Sequence, residues 1–126
     1  MHPLSDIRTR IRNAISNDRS TVIVPSTISK LAHEVLLRLV EEGFLRGLRR
    51  TEAGLEVLLI VAKPAPIRRL YCVSRPSRRV YLPNRALWGF ADSTVGCLIL
   101  STSQGVLTQR EARKRGLGGE VLVGVA

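Results

Sequence analysis

Apolar residues recur at Leu4, Ile7, Ile11, Ala14 and Ile15, the spacing that one face of a helix presents. The pattern predicts a helix over 4–17, with Arg8 and Arg12 four residues apart on its outward side. Thr21-Val22-Ile23-Val24 is a short β-branched run stopped by Pro25, and predicts a strand. From Ser26 to Glu42 the helical period returns with Ile28, Leu31, Val35 and Leu39 inward, and Gly43 stands where a left-handed residue would end it. Phe44 to Arg50 and Leu55 to Val61 then read as a hairpin across Thr51-Glu52-Ala53-Gly54.

Lys63-Pro64-Ala65-Pro66 interrupts the series, because two prolines within four residues remove ladder donors. A boundary is expected there, giving one domain over 1–62 and another over 63–126. In the second, Ile67 to Ser74 and Arg78 to Leu82 predict two hairpin strands about the turn Arg75-Pro76-Ser77, and Asn84 to Phe90 a short helix. Val95 to Leu100 is continuously apolar, as in a strand buried on both faces. Ser101 to Gly105 follows as a polar loop. Thr108 and Glu111 form a capping-box pair opening a helix to about Arg115, with Gly116 beyond it. Val121, Val123 and Val125 alternate along a closing strand. The expected fold class is α+β, with two small packed domains: α-β-α-β-β, then a mainly β domain with short helices.

Charge changes what this scaffold is expected to meet. The chain carries 20 Lys and Arg against 10 Asp and Glu, a net charge of +10 in 126 residues. Residues 1–62 hold nine basic and seven acidic side chains, a net of +2, whereas residues 63–126 hold eleven and three, a net of +8. Such a balance implies an acidic partner, and a polyphosphate backbone is the one it suits best; the second half should dominate the attraction. Hydrophobic residues are 44% of the chain, enough to bury a core. No apolar run approaches the ~20 residues of a membrane-spanning helix, so no membrane is expected as a partner. No signal peptide is recognisable, and Cys72 and Cys97 make no disulfide framework, which fits a reducing compartment.

Enzyme chemistry finds little support. His2 and His33 are far apart and no Cys-x-x-Cys starts a zinc site, so neither metal nor cofactor is expected. Gly116-Leu117-Gly118-Gly119 follows a helix and precedes a strand, the wrong order for cradling a nucleotide. No catalytic residue is assigned. Two features do carry binding chemistry. Arg68, Arg69, Arg75, Arg78 and Arg79 crowd the predicted strands without an acidic neighbour in sequence. Ser101, Thr102 and Ser103, ending on Gly105, offer hydroxyls to phosphate oxygens and 2′-hydroxyls, with a glycine permitting close backbone approach. An ordinary Ser/Thr turn feeding the next helix is an equal reading of that loop. Of the five aromatics, Phe44, Tyr71, Tyr81, Trp88 and Phe90, the two phenylalanines read as core. A surface of arginines and hydroxyls therefore suits a folded RNA recognised by shape more than a single strand held by stacking. A general basic nucleic-acid module is the alternative, but a duplex reader would need a basic helix for the major groove, and most arginines here fall on predicted strands.

The run Asp6-Ile7-Arg8-Thr9-Arg10-Ile11-Arg12-Asn13-Ala14 resembles the start of the eighth small-subunit ribosomal protein family, bacterial type. So do Val24-Pro25-Ser26, Glu41-Glu42-Gly43-Phe44, Val73-Ser74-Arg75-Pro76 and Arg79-Val80-Tyr81. The fullest match is Ile99 to Val106, continuing through Thr108, Arg110-Glu111-Ala112-Arg113 and Gly116 to Leu122. These blocks keep the family's order over nearly the whole chain. The resemblance implies a structural constituent of the small ribosomal subunit that binds the central domain of its rRNA during assembly. It further implies rRNA contacts at Ser101, Thr102, Ser103 and Gly105 with Tyr81 and Glu120 beside them, and at Thr9, Arg12 and Asn13 of the first helix. Small-subunit proteins two, five and seventeen are the implied neighbours.

Gln104 stands where the family usually has Lys, so one phosphate-directed charge is missing. The segment 83–94, with Trp88 and Asp92, and the hairpin at 45–58 also depart from the pattern. That drift suggests an organellar ribosome, mitochondrial before plastid, ahead of the bacterial cytoplasm.

Overall fold

A computed structural model of the chain describes residues 3–62, 64–75, 77–88 and 96–126. The chain divides into two compact units, Met1–Ile67 and Arg68–Ala126. Pro64 to Ile67 thus go with the first unit. Pro76 of the expected turn, Phe90, Asp92 and Val95 lie outside the described residues.

The first unit has the element order α-β-α-β-β. Helix α1 (Pro3–Ser16) buries Leu4, Ile7, Ile11 and Ala14 and turns Arg10, Arg12 and Asn13 outward. Strand β1 (Thr21–Val24) stops at Pro25. Helix α2 (Lys30–Glu41) begins four residues later than the periodicity suggests. The reason is local: Ser29 is the cap, its hydroxyl accepting from the Ala32 amide at 3.1 Å. The inward stripe is Ala32, Val35, Leu36 and Leu39, and Leu31 is left 38% exposed. The helix ends on Gly43 at φ +84, with the Phe44 amide donating to Leu39 O at 2.9 Å and that of Gly43 to Val40 O at 3.1 Å. These two bonds are the Schellman pattern. Strands β2 (Gly47–Thr51) and β3 (Gly54–Leu58) form the expected hairpin, and the antiparallel order is β1-β3-β2.

The second unit is built around β8 (Gly119–Val125). One edge of β8 pairs with β6 (Cys97–Thr102), which pairs in turn with β7 (Gly105–Thr108). The other edge takes β4 (Leu70–Cys72) and then β5 (Tyr81–Leu82). The strands expected to pair with each other across Arg75-Pro76-Ser77 are therefore successive segments along one edge of β8. Buried Ser74 closes the excursion between them, accepting from the Val80 amide at 2.9 Å, while Arg75 and Arg78 form a two-way backbone bridge.

Helix α3 (Asn84–Leu87) and helix α4 (Gln109–Lys114) contribute Leu87 and Ala112 to a core with Leu98, Leu100 and Val121. Leu98, Ile99 and Leu100 are all buried, as the unbroken apolar run requires. Thr108 caps α4, accepting from the Glu111 amide at 3.3 Å. The polar stretch before it is not a simple loop, because Gly105 to Thr108 form a strand.

The closing strand does not alternate cleanly. The β6–β8 register passes from Ile99↔Val123 to Leu100↔Val121, so Leu122 is an extra residue. A bulge of this kind turns the following side chains to the other face. Val121 thereby joins Leu100 in the core while Val123 lies across from Ile99, and Glu120 comes to face Ser101.

Candidate nucleic-acid interface

Cross-strand register brings distant residues into one row. Tyr81 on β5 is opposite Glu120 on β8, and Glu120 is opposite Ser101 on β6. Directly paired residues project on the same face. Tyr81 is 64% exposed, and Glu120 and Ser101 are half-buried. Close packing sets this geometry: a Cβ on Gly119 would come within 2.2 Å of the Ser101 carbonyl oxygen. Only glycine lets β8 pass so near β6 at this point.

Beyond Ser101 the sheet ends in a two-residue turn, Ser103-Gln104, between paired Thr102 and Gly105. The Thr102 hydroxyl donates to Gly105 O at 2.7 Å and accepts from the Gln104 amide at 3.1 Å. Thr102 therefore builds the turn. Ser103 is exposed, and its hydroxyl has no partner among the described residues. Gly105 sits at φ +107, and a Cβ there would meet nothing within 4 Å. Its constraint is conformational, and the space in front of it is open.

The arginines do not form one hairpin patch. Arg68 and Arg69 donate their backbone amides to Ala126 O at 2.7 and 2.9 Å, beyond the far end of β8. Glu120 and Val125 are five residues apart on that strand, about 17 Å at the usual rise. Arg69 stacks over Tyr71, its guanidinium carbon 5.5 Å from the ring centroid. Arg75, Arg78 and Arg79 occupy the excursion before β5, all exposed. Arg79 does have an acidic neighbour, since its guanidinium lies 3.5 Å from the Glu120 carboxylate. That pairing crosses 41 positions of sequence and depends on β5 lying beside β8. Arg75 and Arg78, just before β5, have no acidic partner among the described residues.

The remaining expected residues are on α1 in the first unit. Arg12 and Asn13 are exposed and Arg8 is half-buried. The Thr9 hydroxyl donates back to Ser5 O at 2.9 Å. Asn13 lines a shallow cleft of about 410 Å³ with Arg10, Asn17 and Arg19.

Sequence reasoning missed Arg115. Its guanidinium donates to the Gln104 side-chain oxygen at 3.3 Å and lies 3.7 Å from the Glu111 carboxylate. A positive charge thus stands at the turn although position 104 is neutral. No local signal marks it, because the contact exists only once the β6–β7 hairpin folds back beside α4. Gln109 is a second such residue: buried, it accepts from the Leu98 amide at 2.6 Å and donates to Gly96 O at 3.0 Å, pinning the start of β6. Among the described residues, no group of three or more His, Cys, Asp or Glu could hold a metal ion.

A family model described as Ribosomal protein S8 matches residues 2–125. The chain is 40% identical to the small ribosomal subunit protein uS8 of Bartonella bacilliformis, over 95% of this chain and 93% of the relative. The same protein from Buchnera aphidicola is 40% identical over 98% of this chain and 96% of its own. That of Prochlorococcus marinus is 38% identical over 95% and 93%.

Proposed function

The chain belongs to the ribosomal protein S8 family, and from that premise we propose that its second unit grips an irregular helix in the central domain of small-subunit rRNA. It is a structural constituent of the small ribosomal subunit, acting in translation. The observation that carries the proposal is the Tyr81–Glu120–Ser101 row running out to an open turn with an uncommitted Ser103 hydroxyl. An acceptor-and-donor edge of that kind reads RNA by shape, through 2′-hydroxyls and phosphates. Arg75 and Arg78 supply sequence-independent attraction, with Arg68 and Arg69 farther along the unit and Arg115 beside the turn. Arg79, tied to Glu120, orients that carboxylate as well as adding charge. Arg8, Thr9, Arg12 and Asn13 make a second rRNA contact from α1.

Neighbouring small-subunit proteins two, five and seventeen complete the surroundings in this reading. The protein's work is structural, with no catalytic residue assigned. The relatives are bacterial, which favours a bacterial cytoplasmic ribosome over the mitochondrial or plastid one that the divergent segments suggest. Expression of a tagged chain in a bacterial host, followed by gradient fractionation and chemical footprinting of the rRNA, tests the proposal. Co-sedimentation with small subunits and protection confined to the central domain are expected. Protection elsewhere in the rRNA overturns the assignment of the domain, and absence from the subunits overturns the whole reading.

A further inference from the structure

Trp88, just beyond α3, is 63% exposed, although a ring of that size usually serves a core. It is nonetheless held in place. Its indole N–H donates to the Asn84 side-chain oxygen at 3.2 Å. The Asn84 amide nitrogen in turn donates to the carbonyls of Ala112, Arg113 and Leu117 at 3.3, 3.5 and 3.0 Å, fastening α3 to the C-terminal end of α4. The Arg113 guanidinium covers the ring, its carbon 5.5 Å from the centroid. Arg85, three residues before Trp88, is exposed as well. An indole fixed at its polar edge and backed by a cation, yet mostly in water, offers a flat π surface that needs little ordering when a second ring arrives.

The rim says what that ring belongs to. Among the described residues, Asn84 and Arg113 touch the indole, Arg85 stands three positions before it, and Glu111, the acidic residue of α4, is turned to Arg115. An apolar protein partner would call for an apolar border, whereas an aromatic plane backed by one guanidinium, with a second arginine a turn away in sequence, matches a base attached to phosphates. We propose that Trp88 is a stacking platform for one unpaired RNA base, whose flanking phosphates lie against Arg85 and Arg113. The inference rests on the second unit being an RNA-binding surface and adds a contact apart from the Thr102–Gly105 turn. It brings a single-stranded element into an interface otherwise suited to folded RNA.

Trp88 is the only tryptophan of the chain, so its fluorescence reports the contact directly. The full-length protein is titrated with a transcript of the small-subunit rRNA central domain, and separately with heparin, a polyanion without bases. Quenching by the transcript and none by heparin is expected. Trp88→Leu should weaken transcript binding about five-fold or more, the lower end of what one stacked base contributes, and Trp88→Phe should recover most of it. Transcript binding without quenching, with Trp88→Leu equal to wild type, overturns the stacking contact but leaves the RNA interface standing. Equal quenching by heparin overturns it too, since charge alone would explain the signal. Wild-type protein that binds no transcript removes the RNA interface and this contact together.

Discussion

Each unit contains a hairpin of the form Thr-x-x-Gly, and the two turns are made alike. Thr51 pairs with Gly54 and Thr102 with Gly105. In each, the threonine hydroxyl donates to the glycine carbonyl, at 3.0 and 2.7 Å, and the glycine takes a positive φ, +138 and +107. Their surroundings differ. A Cβ on Gly54 would lie 2.5 Å from Val24 O, so that turn is pressed against β1, whereas Gly105 faces open space. The first turn carries the acidic Glu52, and the second carries Ser103 and draws in Arg115. Similar turn chemistry thus serves packing in one place and leaves an open edge in the other. What distinguishes them is the neighbour, which no four-residue motif reveals.

The comparison can be broken most forcefully at the glycines. Gly54→Ala meets backbone and strains φ, so the first unit should lose about 1–3 kcal/mol of stability or more in denaturant unfolding. Gly105→Val places its Cβ in open space and should lose less, within the roughly 1–3 kcal/mol of a strained φ, while its affinity for cognate rRNA falls further than its stability does. Equal RNA binding by Gly105→Val and wild type would remove the open face from the account. The threonines sharpen the point at smaller scale. Thr51→Val deletes one hydroxyl bond and Thr102→Val two, each worth about 0.5–1.5 kcal/mol, so both should lower stability in melting and Thr102→Val by somewhat more. Only Thr102→Val should also weaken RNA binding; parallel RNA losses from both would mean the effect is on folding alone.

Charge provides the next contrast. Arg75→Ala with Arg78→Ala removes two exposed guanidinium groups near the Tyr81–Glu120–Ser101 row. The slope of log affinity against log salt should flatten by about 0.7–0.9 for each phosphate left without its guanidinium, for cognate and scrambled RNA alike. An unchanged slope would place both side chains in solvent only. The smallest effect is expected at Cys97, half-buried at the start of β6. Cys97→Ala should cost some stability through a small cavity, and neither it nor Cys72→Ser should alter RNA affinity in the same titration.

Much of the architecture is legible in the sequence because local rules and tertiary packing agree. The α1 face, the Pro25 stop, the Gly43 cap and the Thr108 cap follow from spacing and turn chemistry alone. Failures cluster where tertiary pairing decides. The strands around Arg75 to Arg78 have the pattern of a hairpin, but they pair one after the other with β8, and among the described residues only Arg75 and Arg78 bridge to each other. The Leu122 bulge cannot be seen in an apolar run, yet it turns Glu120 toward Ser101. Arg79 has no acidic neighbour in sequence because its partner arrives from 41 residues away. The hydroxyls of the candidate site are visible in the sequence, but not the division of labour by which Thr102 holds the turn and Ser103 is left exposed.

Ser103→Ala tests that division most directly, since it deletes an uncommitted hydroxyl and leaves charge and the turn's own bonds intact. Cognate and scrambled rRNA are titrated with wild type and variant at two salt concentrations. The expected result is weaker binding to the cognate RNA, by the equivalent of about 0.5–1.5 kcal/mol, with scrambled RNA and the salt slope unchanged. Equal loss for both RNAs, or none for either, would contradict the turn's role as the specificity element and transfer that role to α1.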